Sequence, residues 1–143
     1  MSDDWKRSFI AKLDKVRENW VGQFEEALQD SVVPAFDDLA EFLRDHGFRM
    51  SAPARDGDRR AFKFELTEDT YLLMIFRFAG TGSFELRSES RVSNAEPAAE
   101  CVVARLADLD QACARQFFQT ALDTFVNSLC GKSAQPAEEL ATV

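Results

Sequence analysis

The chain has 143 residues, 17 Lys and Arg against 25 Asp and Glu, and a 45% hydrophobic composition that includes 13 Phe. A chain of this length buries roughly 68–70% of its unfolded surface, enough for one core without a metal or disulfide. The formal net charge of −8 argues against a nucleic-acid backbone or an anionic bilayer as the main partner.

Other coarse features point the same way. No run approaches the roughly 18 apolar residues of a membrane span. Residues 1–16 alternate charged and apolar types where a secretory leader needs an unbroken apolar stretch. Cys101, Cys113 and Cys130 are odd in number and lack metal-type spacing, which fits reduced thiols in a cytoplasmic protein.

Residues 1–46 carry one helical stripe. Trp5, Phe9, Leu13, Val16, Trp20, Phe24, Leu28, Val32, Phe36, Leu39 and Leu43 recur at steps of three or four, a period longer than the 3.5 of a left-handed coiled coil. Pro34 removes one helical hydrogen bond and crowds the carbonyl of Asp30, so a kink or short break is expected between Asp30 and Pro34, with Asp30 or Ser31 as a fresh cap. The helix is expected to end at His46, with Gly47 taking the left-handed conformation of a C-cap.

Over 48–106 the period changes to two and turn residues interrupt it, which predicts an antiparallel meander of four to five strands. Phe48 and Met50 precede a turn around Asp56-Gly57-Asp58, and Phe62, Phe64 and Leu66 alternate with Lys63 and Glu65 in the returning strand. The most apolar strand is 71–79, closed by Gly80-Thr81-Gly82. The strand beginning at Ser83 turns polar on both sides at Ser88 and Ser90 and reads as a fraying edge. Residues 92–99 read as a loop, and 101–106 as either a fifth strand or the approach to a helix.

A last helix over 109–130 follows, capped by Asp108 or Asp110, stopped at Gly131, and bearing Ala114, Phe117, Phe118, Ala121, Leu122, Phe125 and Leu129. Residues 132–143 are too polar to pack alone and read as a disordered tail. The expected architecture is therefore one α+β domain over 1–131. A long N-terminal helix and a C-terminal helix pack on an antiparallel sheet in a two-layer sandwich.

Motifs for catalysis are sparse. His46 is the sole histidine, and its place near a helix C-terminus already has an electrostatic reason. Asp37, Glu41 and Asp45 share a helix face near Asp38, but one acidic face does not supply the octahedral oxygen set of a divalent site. Arg55, Arg59, Arg60 and Lys63 are too few for a nucleic-acid footprint. Gly80-Thr81-Gly82 lacks the lysine and following helix of a phosphate loop. Asp108 and Asp110 would raise rather than lower the pKa of Cys113. No metal, cofactor, nucleic-acid or membrane partner is expected, and catalysis is the less favoured reading.

Two features remain. Tyr71, Leu73 and Ile75 place apolar side chains on the sheet face where neighbouring strands carry Lys63, Glu65, Glu85 and Arg87. Either a helix covers them, or they form an interface. The N-terminal helix, about 60 Å if continuous over some 40 residues, is longer than the domain is wide, so Trp5 and Phe9 need something to lie against. The first functional expectation is a non-enzymatic protein-interaction module that contacts a second copy of itself, as a homodimer, or another protein through Trp5, Phe9, Tyr71, Leu73 and Ile75. The alternative is a binder of a small apolar ligand in a pocket between sheet and C-terminal helix, lined by Phe62, Phe64, Phe76, Phe78, Phe84 and Phe118.

Overall fold

The computed structural model describes residues 2–52, 58–80, 82–93 and 95–134. Arg55 and most of the Asp56-Gly57-Asp58 turn, Thr81, Asn94 and the 135–143 part of the expected tail lie outside the described residues.

Helix α1 (Ser2–Ala27) leads through one π turn (Leu28–Val32) into α2 (Val33–Arg44) without a break. The expected kink is therefore a widened turn. Its N–H of Val33 reaches back to the carbonyl of Leu28, and neither Asp30 nor Ser31 caps a new helix. Pro34 explains the location: it offers no N–H to Asp30, and one inserted residue relieves the crowding that its ring would cause. At the far end Gly47 adopts φ +92°, and the N–H of Phe48 bonds the carbonyl of Leu43 at 3.2 Å. This is the bond of a Schellman C-cap, with both residues in the core.

Five antiparallel strands follow in sequence order: β1 (Arg49–Ser51), β2 (Arg59–Thr67), β3 (Thr70–Phe78), β4 (Ser83–Arg91) and β5 (Ala98–Arg105). Two boundaries differ from the sequence reading. Strand β5 starts at Ala98, inside the expected loop, and pairs with β4 through eight successive residues from Ala98 to Arg105. Strand β4, expected at the edge, lies between β3 and β5. Backbone pairing alone explains both differences. The Ala-Ala-Glu start of β5 has little β propensity of its own, and its ladder bonds come from β4.

A 3-10 turn (Leu106–Asp108) leads into α3 (Gln111–Ala134). Asp110 caps that helix, its Oδ1 accepting from the Cys113 N–H at 2.8 Å. The helix passes Gly131 and continues to Ala134. One glycine costs a helix about 1 kcal/mol relative to alanine, too little to end one that is already propagating.

The helices share one face of the sheet, completing an α+β sandwich. Phe62, Phe64, Leu72, Met74, Phe76, Phe84 and Leu86 point inward from the strands and meet Phe24, Leu28, Val32, Phe36, Ala114, Phe118 and Phe125 from the helices. Phe118 is fully buried, and its ring lies 5.6–6.0 Å from those of Phe36, Phe62, Phe64 and Phe76, within the range of favourable aromatic pairs.

Candidate functional site

Of the six phenylalanines expected to line a pocket, five belong to the buried core and Phe78 packs against it. Phe62, Phe64, Phe76, Phe84 and Phe118 are fully buried, and Phe78 packs on Phe24 with ring centroids 5.9 Å apart. Large rings on both layers pack against one another, with Phe118 meeting Phe62, Phe64 and Phe76 at 5.6–5.9 Å.

The space between the layers opens farther along, where side chains become short. Along the inward row of β4, Phe84 and Leu86 give way to Ser88 and Ser90, and β5 opposes them with Glu100 and Ala98. Over this patch α3 presents Phe117, Thr120, Ala121, Thr124 and Phe125, spaced at i, i+3, i+4, i+7 and i+8 and so on one helix face. The result is a cleft of about 140 Å³ between α3 and the β4–β5 edge. Leu72, Leu86 and Phe125, all buried, form its floor. The hydroxyls of Ser88, Ser90, Thr120 and Thr124 border it, together with Val102, which is 48% exposed, and Glu100.

The charge of this lining is one-sided. Among the described residues Glu100 is its single charged one. A carboxylate or phosphate would meet repulsion there with no compensating cation among the described lining residues, whereas a neutral hydroxyl can pair with the serines. The Thr124 hydroxyl already donates to the Thr120 carbonyl at 3.0 Å, and the Thr120 hydroxyl accepts from Gln116 at 3.4 Å.

The expected interface residues fall in two places. Tyr71, Leu73 and Ile75 lie on the sheet face away from the helices. Tyr71 sits between Glu65 and Arg91, Leu73 between Lys63 and Glu89, and Ile75 between Ala61 and Arg87. All three are half-buried. The Lys63 ammonium lies 4.5 Å from the centre of the Tyr71 ring, and Arg77 pairs with Glu85 at 3.1 Å on the same face. Charged residues of the neighbouring strands thus share this face with the stripe, and the helices, which pack on the other face, do not cover it. Trp5 and Phe9 are exposed, and their rings stack on each other at 5.1 Å.

The remaining candidates serve local structure. His46 is exposed beside the cap glycine, its ring 4.8 Å from that of Phe42. Asp38 accepts from Arg115 at 3.2 Å, tying α2 to α3. Among the described residues no cluster of three or more His, Cys, Asp or Glu is placed to hold a metal, and no helix is long and apolar enough to cross a membrane. Burial pushes the Cys113 thiol up from its ordinary pKa, with the Asp110 carboxylate adding to the shift. A hydrogen bond to Glu85 does the same for Cys101. Raised values keep both thiols protonated and poor as nucleophiles.

The cleft was visible in part. Ser88 and Ser90 signal it, since small polar residues in an otherwise Phe-rich inward row leave a void beneath a helix. In sequence that same signal reads as a fraying edge. No protein-family model, curated protein or solved structure matches the chain.

Proposed function

We propose that this domain binds a small, neutral, apolar ligand bearing a hydroxyl, held in the cleft between α3 and the β4–β5 edge. The observation that carries the reading is the lining itself: a buried apolar floor bordered by the serines Ser88 and Ser90, with no cation among the described lining residues. Such a combination of apolar wall and few polar groups is the usual composition of a ligand pocket. The size sets the ligand class. An engineered apolar cavity of about 150 Å³ holds a benzene, so a cleft of about 140 Å³ suits roughly six carbons.

Binding rather than catalysis is supported by the placement of titratable groups. His46 lies at the end of α2 and is not among the residues that line the cleft, and Asp38 is engaged with Arg115. Glu100 at the rim has no histidine or cation beside it among the described lining residues with which to form an acid–base pair.

Titration of the protein with 1-hexanol and with hexanoate, followed by calorimetry or by the thermal midpoint, tests the proposal. The alcohol is expected to bind saturably and the carboxylate to bind more weakly. Ala121→Phe, which puts a ring into the cleft, should remove the response. Thr120→Phe, at an exposed rim position, serves the same purpose with less risk to folding. Equal responses to both compounds, undiminished in both variants, would overturn the assignment.

A further inference from the structure

The N-terminal part of α1 projects from the domain. Residues 3–19 are exposed apart from half-buried Leu13, an arm about 26 Å long at roughly 1.5 Å per residue. Trp5 is 64% exposed, Phe9 48% and Val16 44%. With Leu13 they form one apolar stripe. A single helix of this length is marginal in water unless its apolar face is covered.

Charge and geometry indicate what covers it. Residues 1–17 hold five bases and three acids, whereas 18–46 hold eight acids and one base. An antiparallel second copy is therefore matched to the arm, basic end against acidic end. Where the arm joins the domain, Trp20, Ala27 and Leu106 border an open hollow that also includes Glu26 and Asp30. If two helices cross near Val16, antiparallel numbering sets Trp5 of one beside Ala27 of the other. The exposed Trp5 and Phe9 rings then enter the hollow, and Lys6 and Arg7 approach Glu26 and Asp30.

The area sets the strength of the contact. Trp5 and Phe9, each about half exposed or more, offer roughly 100 Å² apiece. With Leu13, Val16 and the walls of the hollow, and both copies counted, the contact falls in the range below about 1,200 Å² in total that is typical of weak, concentration-dependent interfaces.

We infer that 3–19 is a dimerisation arm, pairing antiparallel about Val16 with the arm of a second copy of this chain. This assignment is independent of the cleft and of any ligand there. Light scattering of the full chain at 10 and 100 μM tests it. The expected result is twice the 16.1 kDa chain mass, and a return to monomer, with the cooperative unfolding of the domain retained, for Trp5→Asp combined with Phe9→Asp. Both positions are exposed, so the domain core is not at risk. Reversing Lys6 and Arg7 to Glu should weaken the dimer at least tenfold, and adding Glu26→Lys and Asp30→Lys should restore it. A wild-type monomer at 100 μM would overturn the inference. So would a dimer indifferent to Trp5→Asp and Phe9→Asp. Monomeric protein recruited to phosphatidylglycerol vesicles through the same two residues would also overturn it, in favour of a lipid surface.

Discussion

Lengthening a ligand one methylene at a time probes the cleft most finely. Each methylene moved from water into an apolar site gains about 0.8 kcal/mol, which is about fourfold in Kd at 25 °C. For the series from 1-butanol to 1-decanol, the cleft predicts that gain up to about six carbons, where a volume of about 140 Å³ is filled. From butanol to hexanol the Kd should fall about sixteenfold. Beyond that the added carbons protrude past Val102 and Thr124 into water, and the gain per methylene should drop below about twofold. Calorimetric titration at one temperature measures the whole series. In Ala121→Phe the break should move to shorter chains or binding should vanish. A gain that continues undiminished to decanol, or a break unmoved by the substitution, would refute the reasoning, since it would place the alcohols on open apolar surface.

Other consequences follow from the packing and from the protonation states. Phe118→Ala removes a ring packed against four others, and should cost about 3–5 kcal/mol in urea denaturation, a large share of the 5–15 kcal/mol typical of a domain. Asp110→Ala deletes the side-chain acceptor for the Cys113 N–H and should cost about 1 kcal/mol. Gly47, at φ +92°, should lose about 1–2 kcal/mol on replacement by Ala, because a Cβ disfavours that conformation. The raised pKa of Cys113 means that its favourable contribution is present below the ordinary thiol value and lost as pH climbs through the raised one. Iodoacetamide labelling, resolved by peptide mapping, should show Cys113 of the folded chain reacting at a higher pH midpoint than in the urea-denatured chain.

Most of the architecture is legible in the sequence because periodicity reports burial. The alternation of Phe62, Phe64 and Leu66, the stripe along the first helix, and Gly47 after it each follow from one local rule. What escaped depends on partners distant in sequence. Strand β5 is made by its ladder to β4, so the weak β propensity of Ala98–Glu100 concealed it. Ser88 and Ser90 look like an edge when β5 is not seen, and like the border of a cleft once it is. The same misplacement moved the expected pocket onto Phe62, Phe64 and Phe76. Aromatic content signals a filled core as readily as a lined cavity, and only the size of the facing residues separates the two. Pro34 marked an irregularity, but whether it becomes a break or a π turn depends on the packing of Leu28 and Val32, both fully buried, which holds the helix together across it.

Amide chemical-shift mapping with 1-hexanol tests the central claim most directly, because it reports where the ligand sits as well as whether it binds. The account predicts saturable shifts concentrated at Ser88, Ser90, Val102, Thr120, Ala121 and Thr124, with 3–19 unaffected. Shifts confined to the exposed arm, or spread evenly over the surface without saturation, would contradict it.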